Sequence, residues 1–403
     1  MKTRKVLWSL LLSGWVLQTA HAVIMIENFE SYIGGQPPPT NRWYVSSGAN
    51  VPIVTTAFAG DGTKSFISSY AVNPTYYQGV GGVDNDDAYQ TISWGPAFKV
   101  TNNVGSLSFK LFGGNNGFST SDRRYSATGV AVWDVSAGDF VPGTFTTRSS
   151  SGNDFSETKT INLSSLTVGK TYLPVVLDLH TGGWGKTGLD ALTAPDDTVI
   201  LGSGPHHVVY RAYNFDTVGD FEGWTGSSNF RLAGNGTSSR YIDFTGSYSD
   251  THGFLSSDLG GDGSTGTFVS PTFTLQGDII EFRISGGKGG ATAFKGTGAN
   301  TASLGFELVN ASDNSVLRWA VGQDMNEFTL DYWTVKDLIG TSVYLRVRDD
   351  TSGGWGKLHV DAIREVGFFE VQDLAVPEPS VALLLGVGGA VLYRRQRRST
   401  GDG

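Results

Sequence analysis

The chain has 403 residues, no cysteine and a formal net charge of −9. The absence of cysteine excludes disulfides, thiolate metal sites and a cysteine nucleophile. The acidic balance argues against a nucleic-acid partner. Glycine accounts for 55 residues and aromatic side chains for 12%, against only 17% charged. That composition suits a strand- and turn-rich fold with packed cores rather than a disordered chain.

The first elements in chain order belong to export. Lys2, Arg4 and Lys5 precede an apolar stretch over 6–17, and Ala20-His21-Ala22 supplies the small-x-small pattern that signal peptidase reads. Residues 1–22 are therefore expected to be a signal helix removed on export, with the mature protein starting at Val23.

Two long segments follow, and they end in the same words. Asp178-Leu179-His180-Thr181-Gly182-Gly183-Trp184-Gly185-Lys186, followed by Asp190-Ala191-Leu192, matches Asp349-Asp350-Thr351-Ser352-Gly353-Gly354-Trp355-Gly356-Lys357, followed by Asp361-Ala362-Ile363, at a constant offset of 171. Their openings agree as well, Ile26-Glu27-Asn28-Phe29-Glu30 against Ala212-Tyr213-Asn214-Phe215-Asp216. The apolar run before Gly113-Gly114 answers the one before Gly286-Gly287. This is a tandem duplication. It sets module one at 23–192, a linker at 193–210 carrying His206-His207 as solvated loop residues, module two at 211–366 and a second linker at 367–376. Residues 267–275, 279–284, 303–309 and 342–347 read as short alternating strands, and no window shows a helical period. The fold class expected is all-β: two tandem antiparallel, jelly-roll-like β-sandwiches, flanked by the signal helix and a short apolar C-terminal helix.

The last 27 residues hold Pro377-Glu378-Pro379, an apolar run over 381–393, and then Arg394, Arg395, Arg397 and Arg398. A helix crossing a bilayer needs roughly 20 apolar residues, so this run suits a transient stop with arginines at the cytoplasmic face. Pro-Glu-Pro, a short apolar helix and an arginine cluster, in that order, resemble the PEP-CTERM sorting signal. The resemblance covers 376–403. It implies processing by exosortase near Pro-Glu-Pro and a surface, outer-envelope or matrix location in a Gram-negative-type bacterium that makes exopolysaccharide. Without the charges of the two ends the remaining segment carries about −15.

Module two also resembles the β-sandwich accessory module of levanase-type fructan hydrolases. The matching residues are Phe221-Glu222-Gly223-Trp224, the Gly261-to-Thr267 turn before Ser270-Pro271, Gly286-Gly287, and Gly353-Gly354-Trp355-Gly356 with Val360-Asp361-Ala362-Ile363. In those hydrolases the chemistry lies in a separate propeller, whose Asn-Asp-Pro-Asn-Gly motif does not occur here. No catalytic residue is assigned, and the chain is expected not to be an enzyme. Gly261-Asp262-Gly263-Ser264-Thr265-Gly266 precedes a strand instead of a helix, and Gly185-Lys186-Thr187 lacks the first glycine of a P-loop, so both read as turns.

Two site expectations remain. Trp184 and Trp355 read either as open indole faces for a sugar ring, with Asp178 and Lys186 or Asp349 and Lys357 on its hydroxyls, or as structural plugs closing the sandwich ends between tight glycine turns; recurrence of the motif with the following Asp-Ala strand in both halves favours the structural role. The acids Asp84, Asp86, Asp87, Asp258, Asp262, Asp190 and Asp361 read as oxygen ligands for calcium or as acceptors of loop amides. Calcium is the one cofactor such acids would suit. The function expected is a glycan-binding, non-catalytic surface or matrix protein with exopolysaccharide as partner. The competing readings are a purely structural spacer and a glycoside hydrolase with an unrecognised site.

Overall fold

The structure is a computed structural model that describes residues 23–32, 38–46, 53–55, 65–67, 90–117, 127–180, 184–196, 198–201, 206–217, 219–233 and 253–369. The signal segment with Ala20 and Ala22, the acids Asp84, Asp86 and Asp87, and the tail with Pro377, Glu378, Pro379, Arg394, Arg395, Arg397 and Arg398 lie outside the described residues. Among the described residues no helix is long and apolar enough to cross a membrane.

Among the described residues the strands form four antiparallel sheets. The first runs Gly152–Asn162, Ser106–Gly113, Thr187–Pro195, Ser65–Ile67, Ile53–Thr55, with Val23–Glu27 also on Thr187–Pro195. The second runs Val199–Ile200, Phe98–Lys99, Thr171–Asp178, Thr91–Trp94, Tyr44–Val45, with Thr128–Asp134 and then Asp139–Phe140 added beside Thr171–Asp178. The third runs Arg231–Ala233, Phe254–Ser256, Leu358–Phe368, Ile279–Gly286, Met325–Thr334, with His207–Tyr213 on Leu358–Phe368. The fourth runs Thr225–Gly226, Gly266–Val269, Ser342–Asp349, Leu304–Asn310, Val316–Ala320, Lys295–Thr297, with Phe273–Thr274 on Ser342–Asp349. The expected run over 267–275 is two strands, because Pro271 has no N–H to give the ladder and Ser270 uses its own on Leu345 O at 2.9 Å. Residues 193–210, read as a linker, contribute to three strands, and His206 is 2% exposed instead of solvated.

Each half is a sandwich with its own core. Phe66, Leu107, Phe109, Val130, Val132 and Leu189 fill the space between the first and second sheets, and Phe282, Phe306, Leu308, Trp333, Leu345 and Val347 that between the third and fourth. A further apolar layer joins the halves. The outer face of the second sheet, with Trp94, Ala131, Trp133, Leu173, Val175 and Leu177, packs on Ile279, Leu330, Tyr332, Val366 and Phe368 of the third. Around it, Tyr44 Oη donates to Glu281 Oε1 at 2.7 Å, Leu330 N to Gln90 Oε1 at 2.6 Å, and Arg283 Nη2 to Gln90 O at 2.8 Å. The molecule is thus a stack of four sheets.

The stacking explains why the two copies drifted apart where they did. Thr171–Asp178 is buried along its whole length, since both its faces are covered, and it carries Leu173, Val175 and Leu177 on the joining face. The matching strand Ser342–Asp349 ends the stack, and there the same positions are Tyr344, Arg346 and Arg348. The opposite exchange occurs in the other sheet: Ser106, Ser108 and Lys110 are half-buried in the first half, while Ile279, Glu281 and Arg283 are buried under the partner half.

Burial also sets an acid limit. Enclosure holds the His206 and His359 imidazoles down to about 3, with the charge of His207 adding to the effect on the first. The unfolded chain takes these protons below the ordinary value of 6.5 and the folded chain does not, so stability is expected to fall as pH drops from there towards 3. Asp349 and Asp361, raised by burial, act in the opposite sense: they stabilise at low pH and lose that contribution as pH rises above their ordinary range. His359→Gln is expected to flatten the acid limb by about one proton in chemical unfolding measured from pH 7 to 3.5.

Candidate functional site

The repeated words build the same corner twice. At the end of Ser106–Gly113 and of Ile279–Gly286, a glycine pair lies against the Trp-Gly-Lys segment: Gly114 N donates to Lys186 O at 2.9 Å and Gly287 N to Lys357 O at 2.8 Å. The approach leaves no room for a side chain. A Cβ on Gly287 would stand 1.9 Å from Trp355 O, and one on Gly114 2.2 Å from Trp184 O. The loop presses its tryptophan into the left-handed region, with φ of 68° at Trp184 and 63° at Trp355.

Both indoles are partly open to solvent, 38% exposed at Trp184 and 37% at Trp355, so they are not fully buried plugs. The glycines fix the main chain and leave the ring outside. Lys186 Nζ lies 5.4 Å from the Trp184 ring centre and Lys357 Nζ 5.3 Å from that of Trp355, within cation–π range. In the second half Asp262 completes the corner, accepting from Trp355 N at 3.0 Å and standing 3.6 Å from Lys357 Nζ.

The remaining site residues serve the frame. Asp178 and Asp349 are fully buried and do not reach a ligand on the indole. Asp349 accepts from Ser257 Oγ at 2.6 Å and Thr351 N at 3.1 Å. Asp190 Oδ1 takes the amide of Ala191 at 2.7 Å, and Asp361 bonds that of Ala362. Both alanines are left-handed, and each lies where the ladder slips register, so the paired Asp-Ala words mark a β-bulge that the carboxylate stabilises. Asp258 is held by Ser256 Oγ at 2.5 Å and by Arg231 at 2.8 Å. Among the described residues no three acid, histidine or cysteine side chains are disposed to hold a metal ion.

What each corner offers is a flat aromatic face with an ammonium beside it and, at Trp355, a carboxylate. An aromatic face of this kind has the chemistry to pack against an apolar C–H surface, and the polar groups beside it to bond hydroxyls. The main-chain anchors fix it before any ligand arrives. Gly287→Ala is expected to push the Trp355 loop away, changing the fluorescence and quencher accessibility of that indole. Gly290, with open space around its Cβ position, is the control site for alanine, although its φ of 80° carries the ordinary cost of about 1 kcal/mol.

No protein-family model matches the chain. By sequence it is 27% identical over 175 residues to a protein of Aspergillus rugulosus named as a glycosyl hydrolase, ecdE; the match takes in 42% of this chain and 23% of that protein. The chain therefore spans less than a quarter of that relative. Among solved structures, the K1 cleaved adhesin domain of Lys-gingipain from Porphyromonas gingivalis W83 aligns at 12% identity over 40% of this chain and 98% of the domain, with a TM-score of 0.26. The N-terminal CBM22-1-CBM22-2 tandem domain of Paenibacillus barcinonensis Xyn10C aligns at 12% identity over 87% of this chain and 99% of the tandem, with a TM-score of 0.22. Likenesses at that level say nothing about a ligand of this chain.

Proposed function

We propose that this chain is an exported, non-catalytic surface or matrix protein that binds polysaccharide through two equivalent indole platforms, Trp184 and Trp355. The observation that carries the reading is the exposed, left-handed tryptophan that recurs in both halves. A bulky residue in that conformation costs on the order of 1–3 kcal/mol, and a ring that stays more than a third exposed forgoes part of the burial that would offset it. A strained and exposed aromatic kept twice on a duplicated frame is explained by contact with something outside the chain.

Export and sorting rest on the two ends of the sequence, with signal peptidase and exosortase as the processing partners and exopolysaccharide as the ligand class. Affinity electrophoresis in gels containing levan, xylan, mannan and the producing organism's own exopolysaccharide tests the binding. Retardation by at least one polymer, weakened by Trp355→Ala, is the expected outcome. Free mobility in all of them supports the spacer reading instead, and release of reducing sugar from any of them contradicts the non-catalytic part.

A further inference from the structure

A second kind of site lies far from the indoles. Ile279 pairs with Thr334 and Gly286 with Met325, so the glycine corner of Trp355 and the Thr334 end of the same sheet are separated by a strand's length, about 23 Å. At that far end, on the free edge of the second sandwich, Lys295–Thr297 and Val316–Ala320 of the fourth sheet stand over the end of Met325–Thr334 in the third. Between them is an open cavity of about 130 Å³, lined by Lys295, Thr297, Arg318, Tyr332 and Thr334 with Gly296 and Trp333. An engineered cavity of about 150 Å³ admits a benzene ring, so this open one seats part of a single six-membered ring and leaves its outer hydroxyls in solvent.

The chemistry of the walls selects among ring-sized ligands. Both cations are already neutralised: Lys295 Nζ is 2.5 Å from Asp331 Oδ1, and Arg318 Nη2 is 2.5 and 2.7 Å from the two oxygens of Asp337. They also brace the two sheets, Lys295 Nζ donating to Tyr332 O at 2.9 Å and Arg318 Nε to Thr334 O at 3.1 Å, which fixes the mouth of the cavity. A balanced wall gives an anion no net attraction, and paired charges repel an apolar guest by the cost of their desolvation. Fixed donors and acceptors and two threonine hydroxyls suit a neutral ligand with many hydroxyls.

We propose that this cavity is a separate binding site for one neutral sugar ring, independent of the indole platforms. Saturation-transfer NMR on the full chain carrying Trp184→Ala and Trp355→Ala tests it. The probes are methyl glycosides of neutral hexoses and pentoses, with methyl glucuronoside and inorganic sulfate as charged comparisons. At least one neutral glycoside is expected to bind saturably, with the charged probes weaker by about tenfold or more. Thr297 is exposed, and Thr297→Tyr places a ring across the mouth; it is expected to weaken that binding by about tenfold without moving the melting temperature, while Thr297→Ser keeps it. No binding by any neutral glycoside, equal binding of the charged probes, or full binding by Thr297→Tyr overturns the proposal. Failure of the indole reading shows elsewhere, as unchanged polysaccharide retention in the double tryptophan variant.

Discussion

Phe368→Ala is expected to destabilise the whole chain by about 3–5 kcal/mol, although the residue is near the end of the last strand. Phe368 is 5% exposed, and its ring centre lies 5.1 Å from that of Trp94 and 5.9 Å from those of Trp133 and Tyr44, all in the other half. Removing it opens a cavity in the layer that joins the second and third sheets, where a well-packed interior relaxes only in part. Scanning calorimetry of the unmutated chain should show the two halves melting together, and the variant should melt lower by on the order of 5–10 °C. Two independent transitions, of which Phe368→Ala moves only one, would show that the halves are separate bodies. Tyr344→Ala is the matched control, since Tyr344 occupies the equivalent of Leu173 on the face that ends the stack.

The second large effect is on binding. Truncating a central aromatic contact costs about 2–4 kcal/mol, and tethered sites gain roughly 10²–10⁴ from acting on one polymer. Trp355→Ala alone should therefore lose most of the retention on a long polysaccharide, yet bind a short oligosaccharide at Trp184 with unchanged affinity and about half the stoichiometry. The double variant should lose both, apart from any weak binding of a single ring in the edge cavity. Stability should move less than for a core tryptophan, because each ring is partly exposed; the left-handed backbone strain stays, since alanine keeps its Cβ. A fall of many degrees in melting temperature would mean that the indoles serve packing after all.

Much of the frame is legible in the sequence because it is written twice. The Gly-Gly-Trp-Gly words, the Asp-Ala words and the glycine pairs at 113–114 and 286–287 mark one corner per half, and alternation along 342–347 places Val343, Leu345 and Val347 in the core as found. The four-layer stack is legible only by comparison. Leu173-Pro174-Val175-Val176-Leu177 against Tyr344-Leu345-Arg346-Val347-Arg348 shows one face apolar in the first copy and charged in the second, which periodicity within either copy does not reveal.

Side-chain roles were harder to read, for a physical reason. Asp258 and Asp262 look like neighbouring loop oxygens, but one is consumed by Arg231 and the other by the Trp355 amide and Lys357, partners remote in sequence. The exposure of the indoles depends on how closely Gly114 and Gly287 approach a carbonyl, a tertiary distance with no counterpart in local pattern. Lys295 and Arg318 carry no motif at all; only the strand pairing that sets them over Thr334 gives them a cavity to line.

The central claim, that the exposed indoles are the binding surface, is tested most directly by titrating the unmutated chain and the Trp184→Ala, Trp355→Ala double variant with whichever polysaccharide retards the protein. Calorimetric titration should give saturable heat with the unmutated chain and an affinity at least about tenfold weaker with the double variant, both proteins being folded, with what remains assigned to the edge cavity. Equal affinity in the two proteins would contradict the account and remove Trp184 and Trp355 from any role in recognition.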